Sequence, residues 1–270
     1  MIQPSKTIQQ RGDVNRIRDL LKELKLTTIL NHLDEVMEAA LADKLPPATV
    51  LEQMLTMEAN ARTERRIERR IRECRVPERK CLDDFDFEFQ TGLDRRQVMA
   101  LATLNFVTRG QSLVLAGHSG VGKSHIAKAL MLQACSQNLR CRYTTASDML
   151  RDLRAGLVDD TLEDKLKTYI KPELLCIDEL GFDRLEQDQT RQASLFFKVI
   201  DARYTSHSTI LTTNMDFRAL GEYLGDPVIT AAMVDRLVHH AVILNIEGPS
   251  WRMYQSKLLN QEETTGDSDT

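Results

Sequence analysis

The sequence predicts an α/β protein in which a parallel sheet is flanked by helices and preceded by a small all-helical domain. Three observations carry that expectation. From Arg95 onward, helical stretches alternate with short apolar strands. One of those strands runs into a glycine-rich loop and then a helix. Residues 1–78 show helical periodicity and no strand signal. Parallel strands need crossover connections, and helices on both faces of a sheet supply them.

In the helical part, Asp13 to Leu24 places Val14, Ile17, Leu20, Leu21 and Leu24 on one face. A second helix over Thr28 to Ala42 turns Ile29, Leu30, Leu33, Val36, Met37 and Ala40 inward. Pro46-Pro47 interrupts the pattern, and proline suits the first turn of a new helix. That third helix runs from about Ala48 to Arg75, packed through Val50, Leu51, Met54, Leu55 and Met57. Its second half is crowded with arginine, and Arg62, Arg66, Arg69 and Arg70 fall on one side. Such a face suits nucleic-acid phosphates. The alternative is a solvated helix whose arginines pair with Glu58, Glu64, Glu68 and Glu73. Residues 79–94, including Phe85-Asp86-Phe87, read as a linker to a second domain over 95–255. Its expected strands are Leu113 to Ala116, Cys141 to Thr144, Leu174 to Ile177, Thr209 to Thr212 and Val242 to Ile246. Residues 256–270 form a polar, acidic tail expected to be disordered.

Gly117-His118-Ser119-Gly120-Val121-Gly122-Lys123-Ser124 fills every position of the phosphate-binding pattern G-x-x-x-x-G-K-[ST]. The strand before it and the helix after it are in place. Glycines let the loop turn tightly, so that successive N–H groups and a helix N-terminus converge on phosphate. Lys123 is expected to reach the β- and γ-phosphates of a nucleoside triphosphate, and Ser124 to hold Mg²⁺. Leu174-Leu175-Cys176-Ile177-Asp178-Glu179 ends an apolar strand in two carboxylates. Asp178 there assists Mg²⁺, and Glu179 polarises the attacking water. The strand Thr209 to Thr213 ends at Asn214, placed to face the γ-phosphate or simply to favour a turn. Arg236, before the last strand, suits either a neighbouring subunit's γ-phosphate or a surface ion pair.

A net charge of −4 and 42% hydrophobic residues fit a globular chain with a proper core. No apolar run is long enough to span a bilayer, and the amino terminus lacks the apolar core of a secretory signal. Five scattered cysteines fit free thiols in a reducing compartment, so a cytoplasmic location is expected.

Taken in order, the phosphate loop, the apolar-Asp-Glu strand, the strand ending in Asn214 and Asp235-Arg236 before a final strand resemble the AAA+ P-loop ATPases. Within them the chain resembles the IstB-type transposition helpers, whose relatives include the DnaC helicase loaders. Phe85-Asp86-Phe87, Ser124 to Leu130, Leu175 to Phe182, Leu195-Phe196-Phe197, Asp201 to Tyr204, Asp235 to His240 and Gly248 to Arg252 carry the likeness over roughly residues 15 to 255. The resemblance implies a Mg²⁺-dependent ATPase that forms a homo-oligomer on duplex DNA, with ATP at subunit interfaces, and regulates a cognate DDE transposase. It casts Asp178 and Glu179 as Walker B, Asn214 as sensor 1 and Arg236 as the arginine finger. Arg252 stands where a sensor-2 arginine would, although too few residues follow Ile246 for the usual helical lid. By analogy with initiator relatives, Arg151, Arg154, Lys165 and Lys167 are nominated as DNA phosphate contacts. These charges equally suit pairing with Asp148, Asp152 and Asp159. The alternative within the same ATPase core is a DnaC-like loader of a replicative helicase. A small-molecule kinase fits less well, since it has no need of the water-directed Glu179 and Asn214.

Overall fold

The computed structural model describes residues 6–182, 189–216 and 218–257; most of the expected acidic tail, 258–270, lies outside them. The chain divides into two compact units, Met1–Glu68 and Arg69–Thr270.

The first unit contains α1 (Lys6–Glu23), α2 (Thr27–Ala42) and the beginning of α3 (Pro47–Cys74). Leu21, Ile29 and Leu33 form its core, with Val14, Leu26, Leu30 and Met54 against them. Leu20, Leu24, Met37, Leu51 and Leu55, expected to point inward, are exposed. Helical periodicity marks a face, but a unit this short has too little volume to cover three such faces. A buried carboxylate adds to the small core. Glu58 of α3 accepts hydrogen bonds from the amides of Thr28 (2.8 Å) and Ile29 (3.2 Å) at the start of α2. Its other oxygen accepts from Arg62 (3.0 Å) and Arg65 (3.1 Å). No side chain at the N-cap position satisfies α2, so Glu58 caps it from another helix.

The second unit holds a five-stranded sheet of β1 (Ser112–Gly117), β2 (Cys141–Thr145), β3 (Leu174–Leu180), β4 (Ser208–Thr213) and β5 (Ala241–Ile246). Its order is β2-β3-β4-β1-β5, and every pairing is parallel. Successive strand residues face opposite sides, so each strand feeds two cores. Leu113 and Leu115 of β1 join Leu174, Cys176 and Ile210 on one face. There they meet Ile126, Leu130 and Met131 of α6 (Lys123–Ser136), together with residues of α4 (Arg95–Ala102) and α5 (Asn105–Thr108). Val114, Leu175, Ile177 and Leu211 form the opposite face. They are covered by α7 (Ala146–Val158), α8 (Leu162–Ile170), α9 (Gln189–Arg203), α10 (Leu220–Leu224) and α11 (Pro227–His239). Near-continuous apolar runs such as Leu174 to Ile177 are what a sheet buried on both faces requires.

Arg203 is fully buried and has no carboxylate partner among the described residues. Its guanidinium donates to the carbonyls of Tyr169 (2.9 Å), Ile170 (3.0 Å), Pro172 (2.8 Å) and Ser208, and to Thr209 Oγ1 (3.0 Å). It thereby ties the end of α8 to the start of β4. The five cysteines are free, and all but Cys81 are buried. No helix among the described residues is long and apolar enough to cross a membrane.

The Glu58 cap has a pH signature. Burial alone would raise its pKa, but the Ile29 and Thr28 amides and the Arg62 guanidinium hold it below the ordinary carboxylate value. A depressed carboxylate contributes stability above its unfolded pKa and loses it as pH falls through the folded value. Glu58→Gln is expected to lower the stability of the first unit by about 1.5–3 kcal/mol at neutral pH. The difference from the parent should shrink as acid protonates Glu58, read by denaturant unfolding followed by helical circular dichroism.

Candidate nucleotide-binding site

At the carboxyl end of β1 the chain turns through residues 117–122 into α6. Gly117, Gly120 and Gly122 all have positive φ, at +146°, +82° and +99°. Gly122 is constrained twice: its φ disfavours an L side chain, and a Cβ there would lie 2.4 Å from the Phe85 ring. No side chain caps α6, so the N–H groups of its first turn are left for a ligand. Lys123 is buried, and its Nζ donates to the carbonyls of Gly117 (2.7 Å) and His118 (2.6 Å). Burial pushes its pKa down, Asp178 counters that, and Arg252 adds to it. An ammonium held among loop carbonyls above an uncapped helix fits the oxygens of a polyphosphate.

Asp178, at the end of β3, is 1% exposed and carries the densest hydrogen bonding in the site. Its Oδ1 accepts from Ser124 Oγ (2.9 Å), from Thr212 Oγ1 and from the Glu179 amide (3.2 Å). Its Oδ2 accepts from the Tyr143 hydroxyl. Ser124 beside Asp178 provides the oxygen donors that a hard cation such as Mg²⁺ takes.

Glu179 follows in an unusual conformation. Ile177 pairs with Leu211 and Leu180 with Thr213, so β3 spends three steps where β4 spends two. This is a β-bulge, and Glu179 sits in it at φ +62°. The Thr212 hydroxyl accepts from its amide at 2.9 Å and so holds the bulge closed. A bulge re-aims a side chain. Here Glu179 is exposed and lines the same cavity as Lys123 and Ser124.

That cavity measures about 390 Å³. Beyond the loop, its walls include Phe85, Phe89, Trp251 and Arg252. The stretch 79–94, read from the sequence as a linker, lies along the phosphate loop. Phe85 and Phe87 pack on the core, and Gln90 Nε2 donates to the Val121 carbonyl at 2.9 Å. From the other side the Trp251 amide donates to the Gly120 carbonyl at 3.0 Å. Trp251 meets the Phe89 ring edge-on at 4.9 Å, and Tyr254 lies 5.0 Å from Phe89.

Other nominated residues lie elsewhere. Asn214 is exposed past the end of β4 and does not line the cavity, whereas Thr212, two residues earlier, does. Arg236 also lies outside the lining. Its Nε is 2.6 Å from Asp201, and its guanidinium sits 4.8 Å above the Phe197 ring. Most nominated DNA contacts have carboxylate partners. Arg62 pairs with Glu58, Arg69 and Arg70 with Glu73, Arg151 with Asp148, Lys165 with Asp152 and Asp159, and Lys167 with Asp164. Arg66 and Arg154 are exposed and form no ion pair among the described residues. The motifs did not point to Tyr143 or Thr212, because a buried hydroxyl on a strand carries no spacing signal. Trp251 had appeared only within the resemblance, and Phe85 within the resemblance and the linker.

Comparison with known proteins accords with this geometry. The family described as IstB-like ATP binding protein matches residues 19–259. The ATP-binding protein of insertion sequence IS21 from Pseudomonas aeruginosa is 35% identical over 90% of this chain and 91% of its own length. That of IS232 from Bacillus thuringiensis subsp. berliner is 34% identical over 86% and 92%. Among solved structures, DnaI superposes with a TM-score of 0.50 and 23% identity over 67% of this chain and 92% of its own. AMPPCP-bound DnaA from Aquifex aeolicus gives 0.50 and 19% over 67% and 55%. These likenesses show the AAA+ P-loop fold.

The double constraint on Gly122 is testable. Gly122→Ala should weaken ATP binding by about five- to thirtyfold, since a non-glycine residue in a left-handed conformation costs roughly 1–2 kcal/mol. Adding Phe85→Ala removes the steric clash but leaves the φ penalty, so titration calorimetry of the double variant should show only partial recovery.

Proposed function

This chain belongs to the family of IstB-like ATP binding proteins, and on that premise we propose that it is a Mg²⁺-dependent ATPase that assembles on duplex DNA and regulates the transposase of an insertion sequence. The observation that carries the ATPase reading is Glu179. It is held in a strained bulge at the rim of the phosphate cavity, directly after the carboxylate bonded to Ser124.

In this reading Lys123 and the start of α6 bind the β- and γ-phosphates. Ser124 and Asp178 would hold Mg²⁺, which neutralises phosphate charge. Glu179 takes the proton of the attacking water, a step that general bases accelerate by about 10²–10⁴-fold. Thr212, not Asn214, lines the cavity from the neighbouring strand, so no step is assigned to Asn214. Arg236 does not line its own chain's cavity, which accords with action on the site of an adjacent copy. Asp201 and Phe197 hold its guanidinium in a defined place meanwhile. ATP at the interface then favours a homo-oligomer, and hydrolysis loosens it.

The DNA and transposase parts rest on the relatives, which are named as ATP-binding proteins of insertion sequences. Phosphate contacts fall first to Arg66 and Arg154, which form no ion pair among the described residues. Arg62, Arg69, Arg70, Arg151, Lys165 and Lys167 contribute only by exchanging an ion partner for a phosphate, which near the surface costs little.

Two measurements check this reading. Glu179→Gln should retain ATP affinity within about twofold while turnover falls about 100-fold or more. Normal turnover in that variant would remove Glu179 from the chemistry. Electron microscopy of the chain on DNA should show ATP-dependent oligomers on duplex that vanish in Lys123→Ala. Assembly restricted to single strands would instead favour a helicase-loader role.

A further inference from the structure

We propose that Tyr143 is a positioning residue for the nucleotide-bound cation, its hydroxyl fixing Oδ2 of Asp178 and so setting the carboxylate's orientation toward the site it shares with Ser124. The proposal rests on the Mg²⁺-nucleotide reading and adds to it a residue outside the phosphate loop and the Asp-Glu strand end.

The argument starts from register. Tyr143 of β2 pairs with Cys176 of β3, and Asp178 lies two residues further along. Side chains two apart on a strand share a face. A tyrosine beside Cys176 therefore extends along that face to the carboxylate, a reach beyond any shorter residue. Tyr143 is 7% exposed and packs within the core on the α6 face of the sheet. Its ring alone would serve packing, as phenylalanine would. The hydroxyl is the atom that packing leaves unexplained, and it donates to Asp178 Oδ2.

The two carboxylate oxygens are unequally held. Oδ1 accepts from Ser124 Oγ, Thr212 Oγ1 and the Glu179 amide, whereas among the described residues Oδ2 accepts from Tyr143 alone. The two oxygens turn together about the Cβ–Cγ bond, and the Tyr143 hydroxyl opposes that rotation from the side the other three donors leave unheld. The carboxylate plane is thereby stiffened before a cation arrives. Preorganised oxygen donors matter for Mg²⁺ because it demands near-octahedral geometry and keeps several waters, which a rotated carboxylate would misplace.

Tyr143→Phe removes this bond with no change in ring packing. The test is ADP affinity of the full chain with Mg²⁺ and with excess chelator, alongside the unfolding midpoint. Fluorescence of Trp251, the one tryptophan in the sequence and part of the cavity wall, reports binding. The expected result is unchanged affinity in chelator and a five- to tenfold loss of the Mg²⁺-dependent tightening, equivalent to about 1–1.4 kcal/mol. Equal losses in both conditions would mark a merely structural role and overturn the proposal, as would Mg²⁺ tightening identical to the parent. Asp178→Asn separates the two levels. If it leaves Mg²⁺ tightening intact, the cation reading itself fails; if it abolishes tightening while Tyr143→Phe does not, only the role of Tyr143 fails.

Discussion

The candidate site depends on one buried carboxylate. Asp178 gathers donors from β2, from the bulge that follows it on β3, from β4 and from the first turn of α6. An ionised group this deep is tolerable only when hydrogen bonds replace its lost water. That need makes Asp178 the common fixed point of the surrounding elements. Moving any one of them strands part of a buried charge. The relative positions of the phosphate loop, the bulge and the end of β4 are therefore set by a single electrostatic demand.

The phosphate loop is enclosed in an unusual way. The stretch 79–94 approaches from one side through Phe85 and Gln90, and residues 250–252 from the other through the Trp251 amide and Ser250 beside Gly120. Neither stretch belongs to the sheet or its covering helices. Both contact the loop, and a Cβ at Gly122 or Gly120 would run into Phe85 or Ser250. The loop is thus walled by segments far apart in sequence, and aromatic rings from each meet where Phe89 touches Trp251.

How much of this was legible in the sequence follows physical scale. The five strands, the three helices before them, the phosphate loop and the carboxylate pair could all be read, because local periodicity and loop chemistry determine them. The Glu179 bulge was invisible, since it arises from the register of β3 against β4 and from the Thr212 hydroxyl across the gap. Tyr143 read as one more strand residue, its partner lying on another strand. Apolar periodicity in α1 to α3 promised inward leucines, yet Leu20, Leu24, Leu51 and Leu55 are exposed, because a pattern says which face is apolar and not whether anything covers it. The arginine run was similarly ambiguous. Spacing placed Arg62 and Arg66 on one side, but only the fold shows that Glu58 engages Arg62 while Arg66 stays free of ion partners among the described residues.

The left-handed backbone of Glu179 carries an implication for how this protein evolves. Glycine would relax that position by about 1 kcal/mol, and asparagine by part of it. A laboratory selection for heat resistance is expected to favour such replacements on backbone grounds. Lineages of the protein under no demand for turnover are expected to drift the same way. On the proposed reading, glutamate at 179 trades backbone ease for a carboxylate at the cavity rim, and robustness and turnover pull that position in opposite directions.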